Sequence, residues 1–186
     1  MTEYFTQTLS ILTILGQVSI LVLFFAYLNG QEKILKFVSE KSLVFGFIIA
    51  LVATLGSLTY SEIIGYDPCK LCWLQRIFIY PQTVLLGLAL WKKDYSIGVY
   101  SLVLSVIGGF IAGYHYLLQV GFAPALSCDS VGYSVSCSQR FVMSYGYITI
   151  PMMALTAFMM LAVIMVVHMK YSKNKVNKIN NKNYGK

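Results

Sequence analysis

Charged residues are scarce in this chain. Of its 186 residues only 11% are charged, with 7 acidic side chains against 14 basic ones, whereas an ordinary soluble domain is about 25% charged. Apolar residues make up 58% of the chain. This composition excludes an ordinary soluble domain and predicts an all-α protein of the lipid bilayer.

Five apolar stretches have the length of about 20 residues that a helix needs to cross a hydrocarbon core of about 30 Å. Residues 1–8 contain Glu3 and no basic residue, and no A-x-A cleavage pattern follows the first stretch, so we interpret it as a retained span and not as a signal peptide. The predicted spans are 9–28, 43–61, 73–91, 97–119 and 147–169.

The net charge of +7 is unevenly distributed. On a five-span chain, eleven of the 14 basic residues fall on one side. The positive-inside rule puts that side in the cytoplasm and the N-terminus outside, and this segregation argues against a nucleic-acid partner. The tail, 170–186, is rich in Lys and Asn and is predicted to be disordered. The eleven residues are Lys33, Lys36, Lys41, Lys92, Lys93, Lys170, Lys173, Lys175, Lys178, Lys182 and Lys186.

Two cysteines stand where the third predicted span begins, in the segment Pro68-Cys-Lys-Leu-Cys-Trp-Leu-Gln-Arg76. A helix N-terminus stabilises a thiolate, so this position favours redox chemistry. Cys69, Cys72 and Arg76 are spaced i, i+3 and i+7 and share one helix face. Arg76 is placed to stabilise a thiolate or a negative charge that develops on an oxygen acceptor. The alternative is a structural disulfide with an arginine that reaches the headgroups.

A second pair, Cys128 and Cys137, lies in the long segment 120–146 and flanks a small, polar insert. An exposed disulfide there is typical of labile or catalytic bridges, and simple loop stapling is the alternative. His115, near the outer end of the fourth span, is a candidate for function or for hydrogen-bonded packing. With the predicted orientation both pairs face the extracytoplasmic side, where disulfides persist. The cysteine spacing does not match a zinc ribbon, so no metal site is predicted.

The segment from Pro68 to Arg76 resembles the motif of the DsbB family of disulfide-bond formation proteins, membrane quinone reductases that reoxidise a thioredoxin-fold thiol oxidase. Two further stretches extend the resemblance over about residues 43–169, and the short insert resembles the BdbC branch. The resemblance implies a four-helix transmembrane bundle as the redox core, 43–169. The extra N-terminal transmembrane helix and its linker, 1–42, lie outside it. The two stretches are Gly113-Tyr-His-Tyr-Leu-Leu-Gln119 and Tyr145-Gly-Tyr-Ile-Thr-Ile-Pro-Met152.

The resemblance also implies a relay between two redox-active disulfides, Cys69 with Cys72 and Cys128 with Cys137. A thiolate of the partner, a DsbA- or BdbD-like oxidase, would attack Cys128, and the released Cys137 would attack Cys69. Cys72 would then leave as the thiolate that passes electrons to ubiquinone or menaquinone.

In the same resemblance Arg76 would assist Cys72 at the quinone, and His115 would lie near it. Two other classes stay open. A vitamin K epoxide reductase-like enzyme also combines a C-x-x-C with a loop pair, but there the loop pair comes first in the chain. The second class is a non-enzymatic membrane protein with two structural disulfides, whose bridges would have redox potentials below about −300 mV.

The charge pattern makes a topology prediction. We expect reporter fusions at Gly65, Asp94, Gly132 and Asn180 to read outside, inside, outside and inside, because the lysine-rich segments stay in the cytoplasm. Paired alkaline phosphatase and fluorescent-protein fusions measure this directly. A cytoplasmic signal at Gly132 would contradict the scheme, since the cysteines would then face a reducing compartment.

Overall fold

The computed structural model describes residues 2–122 and 136–184, with side chains for 2–122 and 136–171. Most of these residues are helical, and the described residues form no strand beyond one isolated bridge between Ser144 and Ile148. A π-helical turn, Thr59–Ile63, extends the third helix, and a 3-10 turn, Tyr95–Ile97, leads into the fifth. The predicted all-α fold is confirmed. The helices are α1 (Thr2–Leu28), α2 (Glu32–Glu40), α3 (Ser42–Leu58), α4 (Lys70–Lys92), α5 (Gly98–Val120) and α6 (Ile150–Tyr184).

Four segments of the described chain are long and apolar enough to cross a membrane: Thr2–Leu28, Ser42–Ile63, Tyr95–Val120 and Ile150–Tyr171. They correspond to four of the five predicted spans, and the protein is a multi-pass membrane protein. The remaining predicted span, 73–91, lies within α4, which is 23 residues long but is not among the four.

The polar residues of α4 explain this difference. Gln75, Arg76 and Gln82 lower the hydropathy of the helix, yet each of them is buried in the bundle. Gln82 is fully buried, and its side-chain oxygen accepts hydrogen bonds from Ser101 at 2.7 Å and Ser105 at 3.1 Å. α4 therefore directs its polar side chains toward neighbouring helices, where they form hydrogen bonds.

The bundle is built from α3, α4, α5 and α6. α4 packs against both α3 and α5, and α5 packs along α6. Membrane helices associate through close packing, so small residues stand where backbones approach. At Gly108 an added Cβ would lie 2.4 Å from the ring of Phe158, a distance that leaves room for glycine alone. The core around this contact includes Leu43, Ala50, Leu86, Ala112, Phe158, Leu161 and Met165.

The predicted linker between the first two spans is largely a helix, α2. Leu35 and Val38 are buried and α2 packs against α6, while Lys33 and Lys36 are exposed. At the same end of the bundle His168 is buried between Ser42, whose Oγ lies 2.8 Å from Nδ1, and the carbonyl of Tyr95, 3.2 Å from Nε2. The backbone of α6 continues to Tyr184, so it passes through most of the tail for which composition predicts disorder. That disorder stays a prediction.

Candidate functional site

The two thiols of the C-x-x-C segment lie side by side where α4 begins. Cys69 is the N-cap residue, in an extended conformation, and Cys72 lies on the first turn. The thiol of Cys69 donates a hydrogen bond to the sulfur of Cys72, with 3.4 Å between the two Sγ atoms. This hydrogen bond and burial raise the pKa of Cys69 to about 12. In the reduced pair Cys69 therefore keeps its proton at neutral pH, and Cys72 is the sulfur on which negative charge is supported.

His115 of α5 joins this pair from the other side. Its Nε2 lies 3.6 Å from Sγ of Cys69 and 3.1 Å from the carbonyl oxygen of Cys137. Because a carbonyl only accepts, Nε2 carries the proton, and Nδ1 then accepts a hydrogen bond of 2.9 Å from the side-chain amide of Gln75. The imidazole is 2% exposed, and this chain of hydrogen bonds fixes the orientation of the ring.

Part of the long segment 120–146 folds over the dithiol. Cys137 is buried in one cluster with Cys69 and Leu118. Two hydrogen bonds fasten the segment to the end of α5: Gln119 donates to the carbonyl of Gln139 at 3.0 Å, and Arg140 donates to the carbonyl of Gln119 at 2.7 Å. One cysteine of the second pair is thus brought to the first pair. The other, Cys128, lies outside the described residues.

Arg76 is buried, with 8% of its surface exposed, and points into the bundle. Its Nε donates to Oγ of Ser57 at 3.0 Å and its Nη2 to the carbonyl of the same residue at 3.2 Å. The guanidinium also lies 5.1 Å from the centre of the Trp73 ring, a cation–π contact. These contacts hold the charge between α3 and α4, and this position disfavours the alternative of an arginine that reaches the headgroups.

A cavity of about 370 Å³ lies beside Cys72 and Arg76, between α1, α3, α4 and α6. Its volume is in the range of about 300–1,000 Å³ that small-molecule sites occupy, and most of its lining is apolar. A second cavity of about 20 Å³ lies on the other side of the dithiol and is lined by Cys69, Cys72 and His115 among others. Cys72 lines both cavities, so it is the sulfur that connects the buried thiol cluster with the larger space.

The structure places the predicted site residues in two groups. Cys69 and His115 line the smaller cavity, and Cys137 is buried in one cluster with Cys69. Arg76 lines the larger cavity, and Cys72 lines both. The resemblance puts His115 near the quinone, but the contacts of its ring are with the thiol cluster. Sequence reasoning overlooked Gln75, although it lies within the recognised motif and follows Cys72 by three residues, the spacing of one helix face.

The donor atoms of Cys69, Cys72 and His115 all lie within 4.8 Å of one another, close enough to share a metal ion. Structural zinc sites take four ligands, and a histidine ligand must offer a free lone pair. Here Nε2 of His115 points its hydrogen at the carbonyl of Cys137. The contacts therefore fit thiol chemistry better than metal binding.

Comparisons with known proteins bear on the family of the chain. A family model described as disulfide bond formation protein DsbB matches residues 39–168. A probable disulfide formation protein C of Bacillus cereus is 42% identical over 134 residues, which cover 72% of this chain and 93% of the relative. The disulfide bond formation protein C of Bacillus subtilis is 42% identical over 121 residues, 64% of this chain and 86% of the relative. No solved structure matches the chain. The chain belongs to the DsbB family of disulfide bond formation proteins.

Proposed function

We propose that this protein is a thiol:quinone oxidoreductase that reoxidises an extracytoplasmic, thioredoxin-fold thiol oxidase. The supporting observation is the position of Cys72, which borders the buried cluster of Cys69, Cys137 and His115 on one side and the cavity of Arg76 on the other. Family membership implies a redox role in disulfide formation. The two-sided position of Cys72 adds a route from a partner's thiols to an apolar acceptor.

The proposed reaction oxidises a dithiol of the partner to a disulfide and transfers two electrons and two protons to the quinone. A partner thiolate attacks Cys128, forms a mixed disulfide and releases Cys137. Cys137 attacks Cys69 of the Cys69–Cys72 disulfide and releases Cys72. The partner's second thiol then displaces Cys128, which attacks Cys137 and restores the loop disulfide. That step releases Cys69. Cys69 then re-forms its disulfide with Cys72, and the two electrons of the dithiol pass to the quinone.

The geometry supports this order of attack. Cys137 lies in one buried cluster with Cys69, a position that favours exchange between them. In the reduced pair the proton stays on Cys69 and its thiol donates to Cys72, so the sulfur that carries charge is the one beside the cavity. His115, whose Nε2 contacts the carbonyl oxygen of Cys137, is placed to hold the Cys137 backbone over Cys69. We therefore assign His115 to thiol exchange.

The larger cavity suits a quinone. A quinone has a flat apolar ring with carbonyl oxygens that accept hydrogen bonds, and when bound it supplies the two-electron acceptor. Within the described residues the hydrogen bonds of Arg76 go to Ser57 alone, and a guanidinium has five N–H donors. Arg76 therefore has donors to offer to a carbonyl oxygen beside Cys72. Ubiquinone and menaquinone share this chemistry.

We further propose that α4 is the fifth span. It packs along α3 and α5, which are both long and apolar enough to cross the bilayer, and only a short turn joins it to α5. A helix of 23 residues packed alongside two spans has the length to cross with them. With the lysine-rich ends in the cytoplasm, the dithiol at the start of α4 faces outside.

Arg76→Gln tests the acceptor site. The change keeps a hydrogen-bond donor but removes the charge, and a charge-assisted bond contributes about 1.5–3 kcal/mol, so we expect the apparent KM for quinone to rise about ten- to a hundredfold. Thiol oxidation in isolated membranes, measured against added quinone, gives this value. Lys92→Gln removes a cation at the other end of α4, outside the cavity, and should leave the quinone KM unchanged. If Arg76→Gln and the wild type have the same quinone KM and turnover, Arg76 does not contribute to the acceptor site, and the assignment of the larger cavity to the quinone is contradicted.

Cys128 is predicted to be the entry point of the partner. An oxidase that lacks its resolving cysteine should be trapped as a mixed disulfide with this protein, because no second thiol displaces Cys128. Non-reducing electrophoresis detects the trapped species. A double variant, Cys69→Ser with Cys72→Ser, keeps the Cys128–Cys137 disulfide and should still trap the oxidase, whereas Cys128→Ser should not. Undiminished trapping by Cys128→Ser would show that the partner enters elsewhere.

Gln75→Leu tests the positioning of His115. Loss of one neutral hydrogen bond of about 0.5–1.5 kcal/mol should slow exchange between the two cysteine pairs about two- to tenfold and leave the quinone KM unchanged. Quenched-flow alkylation measures the exchange. Gln82→Leu makes the same change on the same helix, away from the thiols, and should reduce thermal stability without slowing exchange. If both variants slow exchange equally, Gln75 contributes to packing alone.

A further inference from the structure

The first helix lies outside the family match, which begins at residue 39. It is nevertheless fixed to the bundle. At its outer end the ring of Phe5 meets that of Tyr60, with 5.4 Å between centroids, and the hydroxyl of Tyr60 donates to Thr6 at 3.3 Å. Further along, Gln17 accepts a hydrogen bond of 2.9 Å from the hydroxyl of Tyr147. α1 therefore has a defined position beside the redox core.

That position makes α1 one wall of the larger cavity. Six residues of α1 line the cavity, which is also lined by Cys72 and Arg76 of α4. α1 packs mainly against α6 and α2, and it makes few contacts with α3. The wall of the cavity between α1 and α3 is therefore loosely packed. The lining positions of α1 are Leu9, Leu12, Thr13, Leu15, Gly16 and Ser19.

The cavity reaches the lipid-facing surface between α1 and α3. Leu12 and Leu15 of α1 line the cavity and are 46% and 57% exposed, and across from them Ile48 and Val52 of α3 line it with 49% and 39% exposure. Side chains that border both the cavity and the outer surface mark an opening. We call the gap between these four residues the α1/α3 slot.

The slot is closed at the end nearest Arg76. There the backbone of Gly56 meets Leu9, and an added Cβ on Gly56 would lie 3.3 Å from a methyl group of Leu9. Gly56 directly precedes Ser57, the residue that holds the guanidinium of Arg76. An entering molecule would thus pass below the Leu9 contact and turn toward the thiol.

The interior behind the slot offers an apolar surface despite its hydroxyl groups. Thr13 donates to the carbonyl of Leu9 at 2.8 Å, and Ser19 donates to that of Leu15 at 2.7 Å. Hydroxyls that bond to their own helix one turn earlier leave methyl and methylene groups toward a ligand. The polar side chains that line the cavity on the α4 side include Asp67, Cys72, Gln75 and Arg76.

We propose that the α1/α3 slot is a lateral port through which the acceptor enters from the bilayer, and that it holds the acceptor's apolar tail while the carbonyl ring lies at Cys72 and Arg76. The proposal rests on the proposed quinone reduction. The cavity has a polar end and an apolar length that opens to lipid, which matches a ring with an isoprenoid chain. α1 is then a specificity element that this chain adds to the family core.

Leu12→Trp in the full-length protein, assayed in membranes, tests the port. Two acceptors are compared: a ubiquinone with a long isoprenoid tail and the same ring without a tail. The indole would occupy space that the tail fills, and overfilling a packed apolar space by a larger side chain weakens binding, so the KM for the tailed quinone should rise about fivefold or more. The KM for the tailless ring should stay as in wild type. Ile11→Trp is the matched control, because Ile11 is the neighbouring residue, is 49% exposed and lies outside the cavity lining.

The outcomes separate the port from the function. If Leu12→Trp matches Ile11→Trp for the tailed quinone, or raises both KM values equally, the port is wrong while quinone reduction by the wild type stands. If the wild type reduces neither quinone, the proposed function fails and the port with it. Should Leu12→Trp not accumulate, a quinone with a photoreactive group on its tail is cross-linked to the wild type. Cross-links to residues 9–19 and 48–56 support the port. Cross-links confined to other segments overturn it.

Discussion

The contact between the sulfur atoms of Cys69 and Cys72, 3.4 Å apart where α4 begins, constrains what surrounds it. The hydrogen bond has a direction, since Cys69 donates and Cys72 accepts. The side of Cys69 is accordingly closed by His115 and Cys137, and the side of Cys72 borders the larger cavity. In the proposed function, two kinds of exchange, thiol with thiol and thiol with acceptor, take place on separate sides of one pair.

Both sides depend on polar groups that α4 carries into the bundle. Gln75 orients His115, and Arg76 is held by Ser57. A charged side chain in the middle of a membrane helix costs about 2.5–3.5 kcal/mol on insertion scales, so such groups are kept where they have partners or a function. These polar residues also lower the hydropathy of α4, which is why hydropathy alone identifies four spans although α4 is a helix of 23 residues beside them.

The first helix shows how an addition to a family core changes a site without touching its chemistry. α1 contributes no thiol and no charge near the dithiol, yet it encloses the space in front of Cys72. In a membrane, where helices associate by packing, a peripheral helix that leaves a gap against one neighbour creates a route for lipid-soluble molecules. With the proposed port, access and reactivity would therefore depend on different helices.

The sequence by itself determined the membrane class, most of the helix positions and the redox motif, because length, apolar composition and i, i+3 spacing are local properties of the chain. It also identified Arg76 and His115 as candidates. Their surroundings were decided by tertiary structure: His115 is 46 residues from Cys69 in the chain, and only the packing of α5 on α4 brings its Nε2 within 3.6 Å of that thiol. The same holds for Gln75, whose partner is on another helix, for the burial of α2 against α6, and for α1 as a cavity wall. Local pattern predicts which residues form a helix, but which side chains share a site depends on how the helices pack, and that is a property of the whole bundle.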